Sequence, residues 1–195
     1  MFENKKTLAS YENKIAEYVN GTPSVVDGEM KTWLDNFAGS LHSGSTVFEI
    51  GSGTGRDADY LSNVHSMNVI CSDVPDGFVS MLRHKGYEAY SFDALNDAFP
   101  VSQVDGVLAN AVLHHFTEDE LNSFLKKVFT FTDGNGYFAF SVKSGEGSEW
   151  TNEKLGEPRF FQYWSQINMM SAVIKAGFTD VQISDSHGWL FVVAK

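Results

Sequence analysis

The sequence predicts an α/β domain: a mainly parallel sheet, covered by helices on both faces, that ends in an antiparallel hairpin. Three observations predict it. Short apolar runs alternate with helical patterns from residue 46 onward. A three-glycine turn, GSGTG at 51–55, joins the first of those runs to the first of those helices. Two closing apolar segments flank the turn Asp185-Ser186-His187-Gly188, which is the spacing of a hairpin.

The first forty residues read as a helical cap on a single domain spanning 1–195. TLASYENKIAEYV places Leu8, Tyr11, Ile15, Tyr18 and Val19 at helical spacing, and Gly21-Thr22-Pro23 ends that helix. A second helix is expected from about Val25 to Phe37, with Val26, Met30, Trp33 and Leu34 among its apolar positions. TVFEI at 46–50 is the first strand, RDADYLSNV a helix, and MNVICSD at 67–73 the second strand. DGFVSMLRHKG is a helix that stops at Gly86. YEAYSFD and VDGVLAN are the third and fourth strands. Thr117 and Glu120 fit a capping box, opening a helix with Leu121, Phe124, Leu125, Val128 and Phe129 on one face. DGNG at 133–136 turns into the fifth strand, YFAFSVK.

Residues 144–158, SGEGSEWTNEKLGEP, read as a long polar loop, a length that often serves function. SQINMMSAVIKAG is the last helix, with Ser165 as cap and Gly177 as stop, and FTDVQIS pairs with WLFVVAK. In such sheets ligands bind at the carboxyl ends of the strands, where strand order reverses. The loops after the first four strands are therefore where chemistry is sought.

Composition narrows the partners. There are 14 Lys and Arg against 25 Asp and Glu, a formal charge of −11. The pairs Lys5–Lys6 and Lys126–Lys127 are too short to form a basic patch. The expectation is a small-molecule substrate, with a basic protein as the other class this charge leaves open, and no nucleic acid. No run is long and apolar enough to span a bilayer, and MFENKKTLAS lacks an apolar signal core, so no membrane partner and a cytoplasmic location are expected. Cys71 is the single cysteine and sits in the apolar run NVIC, so a buried thiol is expected and an internal disulfide is excluded. No metal site is read, and a monomer or homodimer is expected.

VFEIGSGTGRD, residues 47–57, carries the strongest signal. Glycines at 51, 53 and 55 follow a strand and precede a helix, where positive φ and close approach of a ligand to the backbone are needed. The helix start offers free N–H groups to an anionic ligand group. Asp73 ends the second strand twenty residues after Gly53, where a carboxylate accepts both ribose hydroxyls of an adenosine. Asp93, ending the third strand, is placed to accept from an adenine amino group, or to cap its own turn.

The order FEIGSGTG, an acid ending the next strand, FDAL and VDGVLANAVLHHF resembles the class I S-adenosylmethionine (SAM)-dependent methyltransferases, specifically small proteins with the GxGxGRD pattern. GNGYFAFSVKSGEG and the late AGF match as well. The resemblance implies a Rossmann-like, doubly wound sheet of seven strands with an antiparallel last strand. It implies SAM as cofactor and methyl transfer to a small molecule. By residue, it implies that Glu49 orients the glycine loop, that Gly51, Gly53 and Gly55 line the methionine and ribose, and that Arg56 meets the methionine carboxylate. It further gives the ribose to Asp73, the adenine to Asp93 with Ala94, and the methionine moiety and sulfonium to Asn110 and Ala111.

His114 and His115, at the mouth of the expected pocket, are the candidates for a general base, against packing under the loop. Tyr11 and Tyr18 on the cap, and Phe161 and Tyr163 among the aromatics Phe160–Trp164, are candidates for the substrate side, where an aromatic ring would face the sulfonium, against a place in the core. Lys143, Glu146 and Glu149 sit near the expected rim. Asn110-Ala111-Val112-Leu113 lacks the Asn/Asp-Pro-Pro-Tyr motif of the aminopurine and protein-amide methyltransferases, which argues against those acceptors. A nicotinamide-dependent oxidoreductase is the alternative, but GxGxxG counted from Gly51 ends on Arg56, and no second domain is present for a hydride acceptor. A non-catalytic SAM-binding protein is the third reading.

Overall fold

The computed structural model describes residues 2–195. At its centre β1 (Thr46–Ile50) pairs in parallel with β2 (Asn68–Asp73) on one side and β4 (Gly106–Ala109) on the other. β3 (Ala89–Ser91) adds in parallel outside β2, and β5 (Tyr137–Ser144) outside β4. β9 (Trp189–Ala194) runs antiparallel along β5 and pairs with β8 (Val181–Ser186). The path β3-β2-β1-β4-β5-β9-β8 is the mostly parallel sheet with a terminal hairpin that the sequence predicts. The chain grows outward from β1 through β2 and β3, then crosses back to β4. That reversal opens a crevice at the carboxyl ends of β1 and β4.

Helices cover both faces, so the central strands are mostly apolar, with Glu49, Ser72 and Ser141 as buried polar exceptions. Val47, Leu108, Ala139 and Phe191 point to one side, where they meet α3 (Gly28–Gly39), α4 (Arg56–His65) and α5 (Asp76–His84). Phe48, Val107, Phe138, Phe140 and Val192 point to the other, against α6 (Glu118–Phe131) and α7 (Gln166–Ala176). Cys71 is buried among the first set. Local signals hold as read. The Thr117 hydroxyl accepts from the Glu120 N–H while the Glu120 carboxylate accepts from the Thr117 N–H. Ser165 caps α7, and Gly177 ends it at φ 118°.

The cap differs from the sequence reading in three places. The first helix is two, α1 (Phe2–Asn13) and α2 (Ile15–Asn20), broken at Lys14. The buried residues of α1 are Asn4, Thr7 and Ser10, because this helix docks on backbone rather than on an apolar core. Thr7 accepts from the Phe160 N–H and Ser10 donates to the Pro158 carbonyl. The second helix begins at Gly28, not Val25, after Asp27 in extended conformation. The expected loop at 144–158 contains β6 (Ser148–Thr151), an antiparallel partner of β7 (Arg159–Trp164), so the aromatics Phe160–Trp164 form a strand. β6 is the polar segment SEWT and carries no apolar alternation to announce a strand. Lys143 pairs with Trp189 on one edge of β5 and with Tyr163 on the other. The β6–β7 hairpin thus lies on the β4 side of β5, beyond the end of β4 and beside the crevice.

Candidate active site

A cleft of about 710 Å³, open mouth included, occupies the crevice. One wall is the glycine turn. Gly51 and Gly53 have φ of 67° and 53°, a region that disfavours side chains. A Cβ on Gly53 would stand 3.2 Å from the Tyr18 ring, and one on Gly51 would strike Val112 at 2.4 Å. The turn thus has no room for side chains, and its backbone faces the cleft directly. Asp73 lies beside it, accepting from the N–H groups of Gly53 and Val74 at 2.8 Å each. A carboxylate offers roughly four lone-pair positions, so two remain for a ligand's hydroxyls. Burial raises the Asp73 carboxyl to about 6, against the pull of those two backbone donors.

The floor is a polar network after β4. Ser141 donates to the Asn110 side-chain oxygen at 2.7 Å and accepts from the Ala111 N–H at 2.8 Å. Asn110 donates in turn to Asp57 at 2.7 Å. The bonds to Ser141 hold Ala111 at φ 57°, an uncommon backbone state for a side-chain-bearing residue. Asp93 and Ala94 line the adjoining wall with Phe92 and Phe78. The Asp93 carboxylate caps its own turn, accepting from the Leu95 N–H and from Asn96.

The far end is built by the cap. Tyr11 donates to Nε2 of His115 at 2.9 Å, and Nδ1–H of His115 donates to the Phe160 carbonyl at 2.8 Å. That pairing fixes a neutral imidazole, and burial lowers its basicity to about 3. Burial raises the Tyr11 phenol as well. Tyr18 packs edge-on against both Tyr11 and Phe78.

Several candidates lie outside the cleft. Glu49 is buried behind the turn, where burial, followed by the nearby Asp57, pushes its carboxyl up. Gly55 faces Leu82. Arg56 is turned into a bidentate pair with Asp57 and a contact to the Met30 sulfur, instead of projecting as a free cation. His114 is buried against Phe161 and Trp189, and burial holds it neutral; it does not reach the cleft. Phe161 packs on the two histidines, and the Tyr163 hydroxyl is drawn out to Glu149. Three residues the sequence reading did not single out complete the arrangement. Asp57 sits inside the quoted motif, whereas Ser141 and Arg159 reach the site from distant strands with no local signal.

Residues 48–140, which hold the glycine turn, Asp73 and Asn110, match the family model described as a methyltransferase domain. That match covers just under half of the chain, and together with the fold it supports the class I SAM-dependent methyltransferase family. Solved structures similar in fold hold SAM or S-adenosylhomocysteine, the cofactor that the resemblance implies. A Mus musculus protein named probable tRNA methyltransferase 9B is 31% identical over 105 residues, covering 53% of this chain and 23% of that protein. The Xenopus tropicalis tRNA (carboxymethyluridine(34)-5-O)-methyltransferase alkbh8 is 32% identical over 87 residues, covering 45% and 13%. This methyltransferase chain thus corresponds to less than a quarter of those relatives' length. In fold it is similar to the DhpI–SAM–HEP complex, with TM-score 0.76, 18% identity, and coverage of 98% and 96%. It is also similar to Burkholderia thailandensis 1,6-didemethyltoxoflavin-N1-methyltransferase, with TM-score 0.71, 20% identity, and coverage of 96% and 86%.

These relatives correct one expectation. The charge of −11 argued against nucleic acid partners, yet the curated relatives are named as tRNA methyltransferases. A formal sum describes the whole surface and does not measure the local field at a site. Among the described residues, no helix is long and apolar enough to cross a membrane.

Proposed function

We propose that this chain transfers the SAM methyl group to a small acceptor that enters the cleft at its Tyr11–His115 end. The observation that carries the reading is the layout of one continuous cleft. A side-chain-free turn and the half-satisfied Asp73 carboxylate occupy one end, and an aromatic and imidazole pair closes the other. The residues present fit the cofactor. The glycine cradle excludes any side chain, and Asp73 keeps two positions for ribose hydroxyls. Asp93 with Ala94 borders the adenine side, and Asn110 with Ala111 borders the amino-acid side. When bound, SAM supplies a methyl group on a sulfonium, whose breaking bond leaves its electron pair on sulfur.

The chain's own contribution is alignment and exclusion of water, which supplies roughly 7–11 kcal/mol of a bimolecular barrier. Tyr11, Tyr18 and Phe78 cover the cleft from the acceptor end to the glycine turn, and His115 fixes the Tyr11 hydroxyl. With His115 lowered to about 3, its imidazole is a weak base at the acceptor end. This favours an acceptor whose nucleophilic atom is already unprotonated at neutral pH.

A second reading puts that acceptor group on an RNA nucleotide, and the names of the curated relatives favour it. Release of S-adenosylhomocysteine (SAH) decides between them, measured with a panel of small acids and amines on one side and bulk tRNA on the other. Turnover with a small acceptor supports the first reading. Turnover with tRNA alone replaces it with the second, and no turnover with either, despite SAM binding, rejects the enzymatic reading.

A further inference from the structure

Arg159 opens β7 and is 5% exposed. Its guanidinium packs over the Phe161 and Tyr11 rings at 5.1 and 5.9 Å. One terminal nitrogen donates to the Tyr11 hydroxyl at 3.4 Å and the other to the Glu153 carbonyl, while Nε has no partner. Among the described residues, no carboxylate pairs with it. Burying a cation without a counter-charge is costly, and removing one member of a buried pair leaves this same situation.

Its surroundings add to that positive charge. Lys143 comes from β5, and Lys154 from the turn between β6 and β7. Arg159 lies close enough to lower the basicity of both lysines, after burial in each case, with Lys154 reaching about 8. The same charge acts on His114 and His115. Glu153 is exposed; it acts on Lys143 but gives Arg159 only its backbone carbonyl, and Asp73 lies across the cleft, acting on the same Tyr11 phenol as Arg159. In a chain of net charge −11, such a gathering is not part of a generally basic surface.

We propose that the Tyr11–His115 end of the cleft recognises an oxyanion on the methyl acceptor, of the carboxylate or phosphate class, through Arg159 flanked by Lys154 and Lys143. The inference rests on the methyltransferase reading of this cleft. A guanidinium fork matches the two oxygens of such a group, and an aromatic wall removes competing water. Tyr11 and His115 line the cleft, and the Tyr11 hydroxyl, bound to both Arg159 and His115, places this cation directly behind that wall.

The test is a calorimetric titration of inorganic phosphate into the full chain, with and without saturating SAH, at fixed ionic strength balanced with chloride. Wild type is expected to bind phosphate saturably. Arg159→Gln should weaken it at least tenfold, and Lys154→Gln, at a half-exposed position, three- to tenfold with the fold intact. SAH affinity should stay within twofold in Lys154→Gln. Equal phosphate affinity in wild type and both variants, or no saturable binding by wild type, overturns the proposal. Phosphate binding that tracks Arg159 while SAH fails to bind would sustain the anion site and reject the cofactor reading. Displacement of phosphate by malonate or by bulk tRNA then identifies the source of the oxyanion, a free acid or a group carried on RNA; displacement by neither overturns an acceptor role.

Discussion

Asp73 is the residue on which cofactor affinity should turn, and its environment makes that affinity depend on pH. Its folded value of about 6 lies above its ordinary 3.8, so the fold binds the proton more tightly than the unfolded chain does. The sign follows: this group stabilises the ligand-free fold below about pH 4, and that contribution is lost as pH rises through 6. A ribose needs the ionised carboxylate, so SAM should bind about tenfold more weakly at pH 5 than at pH 7. Calorimetry at the two pH values checks this, and Asp73→Asn should bind weakly at both with little difference between them. Ser141 gives a second prediction. Ser141→Ala strands the Ala111 N–H and the Asn110 oxygen, both held by that hydroxyl, and should cost about 1–3 kcal/mol in a urea unfolding experiment. Asp57 and Arg56 show where residue-level reading stops. The GRD motif was visible, but whether Arg56 reached a ligand or its neighbour depended on Asn110 and Met30 standing beside Asp57.

The elements divide into those held by the sheet and those held by the cap. α6 is fixed at its start by the reciprocal Thr117–Glu120 bonds, and Thr117→Ala should cost about 1 kcal/mol of stability, read as a shift in the urea midpoint. α1, α2 and the β6–β7 hairpin join each other through a few polar contacts, Thr7 to Phe160 and Ser10 to Pro158 among them. Elements with few buried apolar contacts open at lower free energy than the sheet. Amide hydrogen exchange should therefore be fastest in α1, α2 and β6, and SAH should slow it there through Tyr11 and Tyr18. Unchanged exchange on addition of saturating SAH would place the cap outside the site. This division also explains what the sequence could disclose. β1, β4 and β5 were legible because strands buried on both faces must be apolar runs. β6 and the docking face of α1 were not: β6 is polar and shows no alternation, and α1 is polar where it docks and acquires its partners across about 150 residues of chain. Arg159 was hidden for the same reason: a buried cation leaves no local trace.

For the molecule as a whole, the α/β alternation and the glycine turn located the cleft, because both follow from local patterns that a parallel sheet turns into one crevice. Of the acceptor end only Tyr11 and His115 were legible as candidates; their meeting was not, since it forms only when the cap, β7 and the turn at 113–115 come together. The charge total misled for a related reason: a formal sum does not show that Arg159 lies buried beside Tyr11 in an otherwise acidic protein. Whether the turn at 51–55 cradles SAM is decided by calorimetric titration of SAM into wild type and Gly53→Arg, with folding of both checked by circular dichroism. Saturable binding by wild type is expected and none by the folded variant, whose side chain would fill the space between the turn and Tyr18. Equal binding by the two would contradict it.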